Sequence, residues 1–524
     1  MRGTCALLGW LALASPIAGQ QIWDVFTTKW DRTSLFTYSQ PSPVINFGTP
    51  GATGQADIVV DDAKTYQTVI GFGATLTDSS ALLLSQLKSK NANQYWSLLN
   101  YLFDPTDGNH NAGFTFLRVP LGASDFSASV YSFDDTSGDT ALNNFNINNA
   151  PSYLFSTIQD IMSVNSILKI QILPWSPPGW MKSGGTMKGG TLNTNYINTY
   201  ANYLLKCLQG FQSKGIPLYA ISIQNEPENS DATYPSTKMP VSTEAAVGAA
   251  LRTLMDNNGF GGVEIVGYEH NWDDAGGYPV QLMQQAAGAF SGVSFHCYGG
   301  QVSDQDTFHS QYPSKEVYFT ECAGTIGSDW WSDIKWYMDN IMTGAITHHA
   351  KTGAMWCWAL DGSGNPKLPG TDSCGGAGCR GVVTIDTGKG TWSVNQEFYA
   401  MAQASRAVIP KDTGGPFAKM ISASVGGDMA WGLVVGAYQT ARKNAADWDR
   451  YSLVVTNWAD NTNGQWNPQP ITATIEFRGK QATYTFPVGV TTLWWFAEST
   501  GSARGDGQGG VYGNSTFVVQ GGVL

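Results

Sequence analysis

Between about residues 68 and 405, short apolar runs alternate with stretches that carry helical spacing. Eight runs stand out, at 68–73, 114–120, 168–174, 218–225, 263–268, 293–298, 316–321 and 354–358. Near-continuous apolar runs suit strands buried on both faces, as in a parallel sheet. Residues 81–87, 196–208 and 243–255 repeat their apolar positions as amphipathic helices do. Alternating strands and helices predict an α/β architecture, and eight units favour a (β/α)8 TIM barrel over an open sheet. After Pro410 the pattern changes. Runs at 429–436, 451–457, 471–477 and 491–496 are separated by Gly, Asn and Pro, and helical spacing nearly disappears. That region reads as an all-β sandwich of antiparallel strands. Residues 22–60 are also β-leaning, so the two chain ends are expected to share this module. The expected boundaries are 1–20 for a signal peptide, 21–66 for N-terminal strands joining the sandwich, 67–406 for the barrel and 407–524 for the C-terminal sandwich.

Size agrees with two packed units, since 524 residues exceed what one hydrophobic core usually holds. The net charge of −12 and the lack of a Lys/Arg cluster argue against a nucleic-acid partner. No run reaches the roughly 20 apolar residues of a membrane span. The start of the chain has one Arg, a short apolar stretch and small residues before Gln20, which reads as a secretory signal peptide and a secreted, extracellular protein. Removing it would take Cys5 and leave six cysteines, an even number compatible with disulfides. Cys374 and Cys379 flank a Gly-rich loop and are expected to pair, whereas Cys207, Cys297, Cys322 and Cys357 pair or stay as buried thiols. Asn514-Ser515-Thr516 is a glycosylation sequon. A monomer is expected. The 19 Trp suit a protein that stacks sugar rings on indole faces.

Candidate chemistry concentrates at strand ends. Glu226 closes the fourth run and Glu321 the seventh, 95 residues apart. A barrel spends roughly 30 residues per unit, so three units separate them, as strands four and seven would be. Two carboxylates on rigid elements are the minimum for retaining glycoside hydrolysis, with the carboxyls about 5–5.5 Å apart. Other run ends carry Arg118, Asp125, Trp175, His296, Tyr298, Trp356 and Trp358, and an arginine inside a barrel demands a carboxylate partner.

Six segments, in this order, resemble glycoside hydrolase family 30. They are Gly71-Phe72-Gly73-Ala74-Thr75-Leu76-Thr77-Asp78, Leu117-Arg118-Val119-Pro120, Ser124-Asp125-Phe126-Ser127, Pro174-Trp175-Ser176-Pro177-Pro178-Gly179-Trp180-Met181-Lys182, Gln224-Asn225-Glu226-Pro227 and Phe319-Thr320-Glu321-Cys322. The resemblance implies a barrel with a fused β-sandwich and retention of anomeric configuration. It implies Glu226 as acid/base and Glu321 as nucleophile. Asp125, Trp175, Asn225, His296, Tyr298 and Trp358 would line the glycone subsite, and Arg118 would support Glu321 or the carboxylate network. Glu226 should start protonated, its pKa raised by the neighbouring carboxylate. This chemistry calls for no metal or organic cofactor. The first and third motifs look closest to the branch holding glucosylceramidases and β-1,6-glucanases, which implies a β-linked glucan or glucoside as partner, β-1,6-glucan foremost. Glucosylceramide, xylan and β-1,6-galactan are the alternative substrates. An inactive carbohydrate-binding protein on the same scaffold is the alternative outside enzymes.

Overall fold

The eight apolar runs correspond to a closed parallel barrel in the computed structural model, which describes residues 20–371, 373–462 and 464–499. The expected signal peptide, apart from Gln20, and the Asn514 sequon lie outside the described residues. The barrel strands are β1 (Gly71–Thr75), β2 (Phe116–Leu121), β3 (Lys169–Pro174), β4 (Ala220–Ser222), β5 (Glu264–Asn271), β6 (Gly292–His296), β7 (Glu316–Glu321) and β8 (Ala350–Met355). Each pairs in parallel with its neighbours, and β8 closes on β1 through Thr352–Gly71 to Met355–Ala74. The last strand begins four residues before the apolar run that predicted it and ends at Met355.

Helices wrap the barrel because their sequences supply one apolar stripe each. Ile197–Ser213 buries Tyr200, Tyr203, Leu204, Cys207, Leu208 and Phe211, the spacing of a single helical face. Among the described residues, no helix is long and apolar enough to cross a membrane.

The barrel lumen changes character along its axis. Phe116, Ala220, Val266, Tyr318 and Ala354 form an apolar layer near the strand starts. Two residues further on, the same lumen-facing positions hold Arg118, Ser222 and Thr320, all fully buried. On β5 that step is irregular. Its register shifts between Gly267 and His270, and Tyr268 and Glu269 take left-handed φ values of 70° and 50°. One extra residue at such a bulge reverses the side-chain alternation. Tyr268 joins the large hydrophobic cluster, while Glu269 meets lumen groups from β2, β3, β4 and β7.

The β-rich ends form a nine-stranded sheet. Its hydrogen-bonded order is Lys480–Phe486, Ile471–Phe477, Ala56–Thr68, Lys419–Gly426, Leu433–Thr440, Asp449–Asn457, Gly489–Ala497, Val25–Lys29 and Thr37–Ser39. Phe477 and Trp495 stand on strands five places apart in this order, which would separate them by about 24 Å in a flat sheet. Their rings lie 5.3 Å apart, so the sheet folds over into two layers with an apolar filling. The helix Gln396–Val408 joins sheet to barrel: Gln403 donates to Thr28 Oγ1 at 3.0 Å, and Thr492 Oγ1 donates to the Gln403 carbonyl at 2.9 Å.

Cys374–Cys379 is bridged as expected, and Cys297–Cys322 ties the end of β6 to the end of β7. Cys207 and Cys357 are buried thiols.

Candidate active site

The C-terminal ends of the barrel strands surround an open cavity of about 460 Å³ whose walls include Asp125, Trp175, Asn225, Glu226, Tyr298 and Glu321. Each is carried by the segment that follows or ends a strand, which is where barrels of this type assemble reactive groups. Asn225 is pinned by its backbone N–H to the Pro174 carbonyl at 2.9 Å. Glu226 takes a left-handed φ of 46°, and its N–H donates to the Glu269 carbonyl at 3.0 Å, which aims its side chain into the opening.

Arg118 organises the floor. Its Nη1 donates to Glu321 Oε2 at 2.5 Å, and its Nη2 donates to Asn225 Oδ1 at 2.6 Å and Glu269 Oε2 at 3.4 Å. The guanidinium also lies 5.0 Å from the Trp175 ring centroid. Tyr298 donates its hydroxyl to Glu321 Oε1 at 2.9 Å, so both oxygens of that carboxylate are oriented. His296 contacts Glu226 Oε1 through Nδ1 at 3.3 Å and Glu269 Oε2 through Nε2 at 3.4 Å. Carboxylate oxygens of Glu226 and Glu321 approach within 4.8 Å. That is the close spacing of a retaining pair, far below the roughly 6.5–9.5 Å of an inverting one. Among the described residues, Glu226, His296 and Glu321 are the three-ligand set that could hold a metal ion.

The charges in this cluster fix one another. Burial pushes the His296 imidazole down, but Glu321, Glu226 and Glu269 outweigh it and hold it up at about 9. Burial pushes the Glu226 carboxyl up, yet the hydrogen bond and charge of His296, the charge of His270 and the Asn229 amide bring it to about 2. The upward shift expected of Glu226 is therefore corrected: His296 outweighs the effect of burial. Glu269 behaves alike, raised by burial and held near 2 by His296 and Arg118. Asp125 has no such cation. Burial, with the charges of Glu321 and Glu226, lifts its carboxyl to about 7 against the hydrogen bond from Ser373.

Trp358 is not in the cavity. Its ring is 1% exposed and packs 4.8 Å from Phe103 and 5.3 Å from Phe114, among the helices outside the barrel. The strand ends at Met355, so the two-residue alternation no longer places 356 and 358 on one face. Trp356 takes the wall position, tilted 35° against Trp175 at 5.2 Å.

Sequence reasoning missed Glu269, Asn229, Tyr234 and Ser373. Asn229 Nδ2 bridges Glu226 Oε2 at 3.0 Å and the Tyr234 hydroxyl at 2.9 Å. Ser373 donates to Asp125 Oδ2 at 2.5 Å, and the Leu368 N–H to the Asp125 carbonyl at 2.8 Å, so the disulfide-closed loop after β8 becomes a wall of the site. Glu269 had a readable signal: it is an acidic residue directly after an apolar run, like Glu321. Lys182, from the long third motif, stands back from the opening. Its ammonium donates to Ser176 Oγ and to the carbonyls of Met187 and Ser236, tying the loops after β3 and β4 together.

The sequence pattern of the glycosyl hydrolase family 30 TIM-barrel domain matches residues 69–367. An endo-1,6-beta-D-glucanase of Neurospora crassa is 34% identical over 410 residues, covering 73% of this chain and 80% of that one. An endo-1,6-beta-D-glucanase of Aspergillus fumigatus is 32% identical over 398 residues, covering 70% and 76%. A solved endo-beta1,6-glucanase superposes with a TM-score of 0.77 at 26% identity, over 91% of this chain and 99% of that one.

Proposed function

Because the chain belongs to glycosyl hydrolase family 30, we propose that it is an endo-β-1,6-glucanase that cleaves with retention by double displacement. The observation that carries the mechanism is the pair Glu226 and Glu321, whose oxygens approach within 4.8 Å across an open cavity. Glu321, oriented by Arg118 and Tyr298, attacks the anomeric carbon. Glu226 protonates the departing glycosidic oxygen, and a glycosyl ester forms on Glu321. Glu226 then takes a proton from water as the water attacks the same carbon, and the free sugar leaves.

The first step needs a proton on Glu226. His296, held above the usual imidazole range by Glu321, Glu226 and Glu269, lies 3.3 Å from Glu226 and is the neighbouring group that can supply it. A substrate that displaces water from Glu226 raises the carboxyl's affinity for it. Asn225, held by Arg118, would hydrogen-bond the 2-hydroxyl, Asp125 offers a buried Oδ1 without a hydrogen-bond partner among the described residues, and Trp175 with Trp356 gives an aromatic wall for a sugar's C–H face.

The linkage rests on relatives: the Neurospora and Aspergillus proteins and the solved structure are all named as β-1,6-glucanases. The two disulfides among the described residues support action outside the cell, and we propose a monomer. The test is a product profile on β-1,6-glucan, glucosylceramide, xylan and β-1,6-galactan. Rapid release of β-configured gluco-oligosaccharides from the first alone is expected. Glucose released from glucosylceramide beside an untouched β-1,6-glucan would overturn the substrate, and products of inverted configuration would overturn the mechanism.

A further inference from the structure

A second open cavity, of about 530 Å³, lies where the barrel's flank meets the sheet. The helix Trp330–Tyr337 and the π-helical segment Met338–Met342 that continues it contribute Ser332, Trp336, Asp339 and Asn340, and the sheet's loops contribute Trp431 and Trp458. Trp336 is 40% exposed and Trp431 57%. The Trp458 indole donates to the Trp431 carbonyl at 2.7 Å, which fixes one ring beside the other's backbone. Exposed aromatic surface gathered in one concavity marks a binding site rather than a packing accident.

The lining limits what can bind. Lys335, the cation at this cavity, is already paired with Asp460 at 2.7 Å, and Asp460 also accepts the Trp331 indole N–H at 2.6 Å. An anionic ligand would therefore meet Asp339 without a free positive charge. A purely apolar ligand would leave Asp339 and the Asn340 carbonyl oxygen desolvated without partners. A neutral polyol satisfies both demands, with C–H faces on the indoles and hydroxyls donating to the carboxylate and amide. The catalytic cavity, at about 460 Å³, takes a ligand of drug size, so a polymer must continue outside it. The helix bearing Trp336 starts directly after the loop whose Ala323 and Thr325 line that cavity.

We propose that the Trp336–Trp431–Trp458 cavity is a non-catalytic subsite that holds the glucan polymer while the barrel cuts it. This rests on the proposed β-glucanase reading. Trp336→Ala and Trp431→Ala are expected to raise KM on long insoluble β-1,6-glucan by about tenfold. Their kcat/KM on a short soluble β-1,6-gluco-oligosaccharide should be unchanged. In the Glu321→Gln full chain, which cannot turn over, each substitution should reduce retention on the insoluble glucan by a similar factor, and Trp431→Phe should keep most of it. Unchanged retention would overturn the proposal, as would equal losses on long and short substrates. A change in oligomeric state in sedimentation would overturn it by making the cavity a contact between copies. Should the parent cleave a different glycan of the panel, the substrate reading fails, and the same variants on that glycan still decide the subsite.

Discussion

Trp495 in the sheet and Arg118 in the barrel are equally buried, each 0% exposed, yet their surroundings are opposite. Trp495 packs on Phe47, Tyr451 and Phe477, and its neighbours in the two-layer sheet are apolar. Arg118 meets Glu321, Glu269, Asn225 and His296. Apolar burial stabilises a fold directly, whereas a buried ion cluster gains little net stability after desolvation and punishes the loss of any member. The sheet is built to hold and the barrel mouth to react, and the two regions should fail differently when altered.

The largest difference is expected at Glu321. Glu321→Gln should lower kcat by at least about 10⁴-fold, with a much smaller change in melting temperature. A variant retaining parental turnover would remove the nucleophile assignment. Next come Arg118→Ala and Trp495→Ala. Each should cost about 3–5 kcal/mol in denaturant unfolding, the first by taking the cation from Glu321 and Glu269 and the second by opening a cavity. Only the first should lose kcat per folded molecule, and equal activity losses would erase the contrast drawn here.

Replacing Cys297 and Cys322 by Ser opens a loop of 25 residues and should cost about 3 kcal/mol. Because that bridge joins the strand ends carrying His296 and Glu321, kcat should fall as well. The effect of His296→Gln is read as a pH profile. His296 is held up at about 9, so its contribution to stability is complete below 6.5 and lost as the pH climbs through 9. The variant should lack that alkaline loss. The alkaline limb of kcat/KM should also move to lower pH, because Glu226 no longer has a neighbouring imidazole to supply its proton.

The barrel was legible because parallel strands buried on both faces write uninterrupted apolar runs, and Glu321 was legible because it ends one. Glu269 follows an apolar run too, but only a bulge, invisible in composition, reverses the alternation on β5 and turns it into the lumen. Trp358 misled for a related reason: beyond Met355 the strand geometry that would have paired it with Trp356 is gone. Lys419–Gly426 and Lys480–Phe486 were not read as strands, since each buries one face only and shows polar residues on the other. Asn229, Tyr234 and Ser373 sit on loops, where position depends on tertiary hydrogen bonds rather than on any repeat.

The order of strands in the sheet has a consequence in time. Thr27 pairs with Thr491, so one edge of Val25–Lys29 meets its partner only long after that segment has been made. Its other edge pairs with the nearby Thr37–Ser39, while about 460 residues at 5–20 per second leave the first edge open for roughly 20–90 s. A nascent chain stalled after Met355 and before residue 489 carries a complete set of barrel strands beside an open sheet edge, the kind of exposed edge that chaperones shield.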